Sequence, residues 1–94
     1  MNGEGTMIVK RLPEHSELFN PSKLYASIYA SCLSVRTPAG SAETMASKVC
    51  HDMEAWLTKK LEVTSADIRR KASEHLAAYH PDAAYMYKNH RKML

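Results

Sequence analysis

Three basic residues near the N-terminus stand where an anion could be held. Lys10 and Arg11 close a short apolar run, Met7 to Val9, and Lys23 falls in the first turn of a helix expected to begin at Asn20-Pro21. If the apolar run is one strand of a hairpin whose second strand carries Leu18 and Phe19, and the hairpin packs on that helix, the three cations can converge. A helix N-terminus adds unpaired backbone N–H groups and the positive end of the macrodipole, both favourable to phosphate. A lysine there opposes the dipole, a conflict that an anion removes. Spacing alone leaves two readings open: solvated surface cations or an anion site.

The elements that would position these cations are legible in the pattern. Pro13-Glu14-His15-Ser16 separates the two apolar steps, giving a β-hairpin with a loop of about four to six residues. Two short strands are marginal alone, so helices must cover one face. Asn20 is an N-cap and Pro21 suits the first helical position. Leu24, Ile28 and Cys32 then repeat at four-residue spacing, widened by Tyr25 and Leu33, until Arg36 to Gly40 forms a loop.

Ser41 can cap a second, long helix carrying Met45, Val49, Met53, Trp56, Leu57 and Leu61 on its apolar stripe. Its charges Glu43, Lys48, Asp52, Glu54 and Lys59 form a solvated outer face. Thr64 and Asp67 have capping-box-like spacing at the start of a third helix with Ile68, Ala72, Leu76 and Tyr79. Pro81-Asp82 opens a fourth helix expected to reach Lys92, with Ala84, Tyr87 and Arg91 along one side.

Composition removes several function classes. The chain has 94 residues, which leaves room for one domain, residues 7–94, behind a flexible tail, residues 1–6. A net charge of +3 is too mild to mark a nucleic-acid binder. Cys32 and Cys50 sit within helical apolar patterns and read as small core residues, which fits a reducing cytoplasm. No export signal or spanning run is present in the sequence, so no membrane is expected. The histidines His15, His51, His75, His80 and His90 lack metal-ligand spacing, and Gly3, Gly5 and Gly40 form no phosphate loop. Binding without catalysis is the expectation.

The run Ile8-Val9-Lys10-Arg11, then Glu17-Leu18-Phe19-Asn20, Lys23-Leu24 and Ser27-Ile28, resembles the opening of an ATP-cone domain. That family comprises the regulatory nucleotide-binding modules of ribonucleotide reductases and of the bacterial repressor of their genes. Val63-Thr64-Ser65-Ala66-Asp67-Ile68 resembles the start of the family's third helix, and Tyr85 to Lys92 its terminal aromatic and basic stretch. The resemblance spans Met7 to Lys92. It implies an α+β fold, mostly α, with a small N-terminal β-hairpin sheet capping a four-helix arrangement.

The resemblance also implies a ligand, ATP or dATP, with or without Mg2+, and a role as an allosteric sensor in cis or in trans. Lys10, Arg11 and Lys23 match the family's phosphate ligands, joined by Arg91 from the last helix. Ile8 matches an apolar residue beside base or sugar, Glu17 and Asn20 match polar nucleotide contacts, and Ser65 and Arg69 correspond to base-side contacts. Where the family has Asp-Gly after Lys-Arg, this chain has the longer Leu12-Pro13-Glu14-His15-Ser16. The implied partner is a ribonucleotide reductase or a second copy of the chain. Two alternatives stand beside this reading. One is a nucleic-acid-binding or transcription-regulating module, although the repressor's DNA contact comes from a four-cysteine zinc ribbon and this chain has two cysteines. The other is an N-terminal fragment of a larger reductase.

Overall fold

A computed structural model describes residues 7–9, 16–60 and 62–90, with side chains at 19–60 and 62–89. The order is β1 (Met7–Val9), β2 (Ser16–Leu18), α1 (Pro21–Ser34), α2 (Ala39–Leu57), β3 (Glu62–Thr64), α3 (Ser65–Tyr79) and α4 (Pro81–His90).

Local chemistry sets the helix ends. Asn20 caps α1 as expected: its Oδ1 accepts from the Ser22 N–H at 3.0 Å and the Lys23 N–H at 3.4 Å. Past the end of α1, Arg36 takes a left-handed φ of 66°, while the Val35 and Thr37 N–H groups return to the Cys32 carbonyl. The capping box at α3 forms in both directions, with the Asp67 N–H donating to Thr64 Oγ1 and the Thr64 N–H to Asp67 Oδ2. The second helix starts earlier than expected, at Ala39 rather than after a Ser41 cap. The Pro38 carbonyl already accepts from the Ala42 N–H at 2.8 Å. Thr37, one residue before the Pro38 N-cap, shares a 2.8 Å hydrogen bond with His80 Nε2.

The helices close into a ring in which α1 and α3 each pack on both α2 and α4. Their inward stripes form the core: Leu24, Ile28 and Cys32 meet Val49, Met53 and Leu57, with Leu76 and Tyr87 from the other pair. Alanines at 42, 46, 72, 83 and 84 are buried and let the helix backbones approach closely. Ser31, fully buried, returns its hydroxyl to the Ser27 carbonyl at 2.9 Å, so its polar atom is satisfied within α1.

The expected fold, with a small N-terminal β-hairpin sheet capping four helices, is not what forms. Among residues with described side chains, 81% are helical, in four helices, and a lone strand, β3, accounts for the extended structure. Apart from Phe19 and Val63, the core residues come from helices. At the backbone level β1 pairs antiparallel with β2, but it is the middle strand of the order β2-β1-β3. β3 arrives parallel to it from the α2–α3 connection. The physical reason is length: three-residue strands bury too little to make a hairpin a unit of its own. The helical ring defines the fold, and the strands serve as its connections.

Candidate functional site

Because the helices alternate in direction, the N-termini of α1 and α3 and the C-termini of α2 and α4 lie toward the strand end of the ring. The strand register refines this. Val9 pairs with Ser16 on one side and Thr64 on the other, so the C-terminal end of β1 lies beside the start of α3. Leu18, which leads through Phe19 into α1, pairs with Met7 at the opposite end of β1. The two helix N-termini therefore leave from strands on opposite sides of β1, offset along it by two residue steps, about 7 Å, and across it by two strand spacings, about 10 Å. The register favours α3, not α1, as the helix start next to the end of β1.

Lys10, Arg11 and Arg91 lie outside the described residues, as does the segment 12–15. Ile8 and Glu17 are described in backbone only; they are direct cross-strand partners, and Ile8 also pairs with Val63. Lys23 is exposed in the first turn of α1. The N–H groups expected to be unpaired there are taken: Ser22 and Lys23 both donate to Asn20 Oδ1. Asn20 thus acts first as a cap, and an anion at α1 would have to compete with its side chain.

Arg69 is the described site residue with the most distinctive surroundings. It is half-buried one turn into α3, after Ser65 at the first helical position. Its Nε is buried with no hydrogen-bond partner, and the side chain makes no ion pair among the described residues. The adjacent Arg70 behaves differently, reaching Asp67 at 3.2 Å and Glu74 at 4.0 Å. Burial raises the Tyr87 phenol above its ordinary pKa, the Arg69 charge opposes that rise and Cys50 adds to it. Arg69 from α3 and Cys50 from α2 are thereby each in electrostatic reach of Tyr87 on α4.

Cys50 also touches α1, its Sγ lying 3.9 Å from the Pro21 carbonyl oxygen. Burial and the nearby Glu54 carboxylate push its thiol up to about 11, so it stays protonated at neutral pH and is no nucleophile. The region offers a guanidinium whose Nε has no hydrogen-bond partner among the described residues, a phenol and a thiol that remain protonated, and nearby helix N-termini, a set that can hold an anion.

Sequence reasoning selected Arg69 but passed over Tyr87 and Cys50 as core residues. It also passed over a groove of about 660 Å³ between α3 and α4, lined by Arg69, Ser73, Ala77, Tyr85 and Lys88 among others. The recurrence of 69, 73 and 77 along one face of α3 was the available signal.

No family model, curated protein or solved structure matches the chain. The functional reading therefore rests on its own residues. Among the described residues no group of three or more His, Cys, Asp or Glu could hold a metal ion, and no helix is long and apolar enough to cross a membrane.

Proposed function

We propose that this chain is an adenine-nucleotide-binding regulatory domain, taking ATP or dATP and serving as an allosteric sensor for a partner such as a ribonucleotide reductase. The observation that carries the reading is Arg69: a half-buried guanidinium whose Nε lacks any partner while the neighbouring Arg70 is paired. Leaving a buried donor unpaired is costly, and an anion supplied from outside removes the cost. Arg69 is better used on phosphate than on the base, because a charge-assisted bond to phosphate is roughly twice as strong as a neutral one.

In this reading the triphosphate lies among Lys10, Arg11, Lys23, Arg69 and Arg91, with Ser65 at the same helix start and Ile8 beside the base. Glu17 and Asn20 supply polar contacts. Regulation requires ATP and dATP to differ in affinity for two states of the partner assembly, since a ligand shifts an equilibrium only by that difference. Calorimetric titration with ATP, dATP, GTP and AMP, repeated on Lys10→Ala, Lys23→Ala and Arg69→Met, tests it. Saturable adenine-nucleotide binding that weakens in the variants is expected. No saturable binding at millimolar nucleotide, or unchanged affinity in every variant, overturns it.

A further inference from the structure

The α3–α4 groove poses a question separate from the nucleotide reading. Its volume, about 660 Å³, lies within the range of small-molecule sites. Three helical Ser and Thr hydroxyls return their protons to the preceding turn: Ser31 to Ser27, Ser34 to Ser31 and Thr44 to Gly40. Ser73, on the groove side of α3, makes no such bond, and its Oγ is buried without a partner. A buried hydroxyl that forgoes the bond available within its own helix calls for another acceptor.

The walls are divided by chemistry. At the end formed by the start of α3 and the close of α4 stand Arg69 and Lys88, neither in an ion pair among the described residues. Arg70 and Glu74 also line the groove, with the Glu74 carboxylate 4.0 Å from Arg70 and 3.6 Å from Lys71, and toward the other end the lining is small and apolar, with Ala77, Pro81 and Ala84. Between the two ends Tyr85 is 69% exposed, the most exposed large hydrophobic among the described residues. A flat apolar body can lie on the alanines against the Tyr85 ring while its charged group meets the two cations.

We propose that the α3–α4 groove binds an aromatic organic anion, a planar ring system carrying one carboxylate, sulfonate or phosphate, with the charge at Lys88 and Arg69 and the ring against Tyr85. This goes beyond nucleotide binding at the strand end and shares Arg69 with that reading, while Ser73, Tyr85 and Lys88 belong to the groove alone.

The test uses 8-anilinonaphthalene-1-sulfonate as the probe, titrated into the full chain by fluorescence and by 1H–15N correlation spectra. Saturable binding is expected, with amide shifts concentrated at Ser73, Ala77, Tyr85 and Lys88. Lys88→Glu should weaken it at least about ten-fold, equivalent to one lost charge contact. Ala77→Trp, at an exposed position, should block it by filling the groove. Both variants should keep the wild-type spectrum elsewhere, and Ala77→Trp, two helical turns from Arg69, should keep the wild-type response to ATP, so a failure of the groove is distinguishable from a failure of the nucleotide site. Absence of saturable binding, shifts centred on the exposed α1 residues instead, or unaltered affinity in both variants would overturn the proposal.

Discussion

The two ends of the helical ring differ in how much of their polar chemistry the fold takes up. At the end where α1 gives way to α2 and α3 to α4, polar atoms pair with one another. Thr37 Oγ1 and His80 Nε2 are 2.8 Å apart across 43 residues of sequence, and nearby Tyr79 donates to Asp52 Oδ2 at 2.8 Å. His75 is the exception on that side, its Nδ1 3.7 Å from Asp52 Oδ2 and its Nε2 buried without a partner. The strand end pairs polar groups too, in the Asn20 cap and the Thr64–Asp67 box, but there Arg69 Nε has no hydrogen-bond partner among the described residues, Lys23 is exposed, and the phenol and thiol nearby are held protonated by burial. That end therefore has charge left over for something outside the fold.

Substitutions should separate these roles. The largest effect is expected at Arg69: Arg69→Met should weaken ATP binding by about 2 to 5 kcal/mol if the contact is fully desolvated, while leaving the melting temperature unchanged or higher. Loss of stability without loss of affinity would reverse the assignment. Next, Thr37→Val should cost about 1 to 2 kcal/mol in urea unfolding, because it leaves His80 without its partner, and should not alter nucleotide affinity. A joint loss would show that the ends are coupled.

The capping box gives a pH test. Hydrogen bonds from the Thr64 backbone and side chain, and then Arg70, hold the Asp67 carboxyl below its ordinary pKa. Its folded pKa is depressed, so its contribution is present above the unfolded value, about 3.9, and is lost as pH falls through the lower folded value. Acid unfolding should therefore show a component that Asp67→Asn removes, together with faster amide exchange at the start of α3. The smallest effect is expected at Arg36, whose φ of 66° favours glycine: Arg36→Gly should stabilise by about 0.5 kcal/mol, read as a small rise in melting temperature.

The sequence made some of this architecture readable and concealed the rest for identifiable reasons. Asn20-Pro21 marked the start of α1, and Thr64 with Asp67 that of α3, because caps are local chemistry. The start of α2 was misplaced because its N-cap is Pro38, which makes no side-chain cap hydrogen bond, so no capping residue marks it. The sheet was misjudged because Glu62–Thr64 is three residues between two helices and reads as a bridge; only the register shows β1 lying between β2 and β3. Arg69 and Arg70 are identical in type and adjacent, but Arg70 has Asp67 three residues before it and Glu74 four after, whereas Arg69 has Ala66 and Ser73 at those helical spacings, so the difference was legible there. That difference arises from which face of α3 each occupies, and it is where the candidate site becomes visible.

The most direct measurement is calorimetric titration of the wild-type chain and Arg69→Met with ATP under the same ionic strength. The account predicts saturable binding by the wild type and an affinity at least about ten-fold weaker in the variant. No saturable binding by the wild type at millimolar ATP, or equal affinity in both proteins, would contradict it.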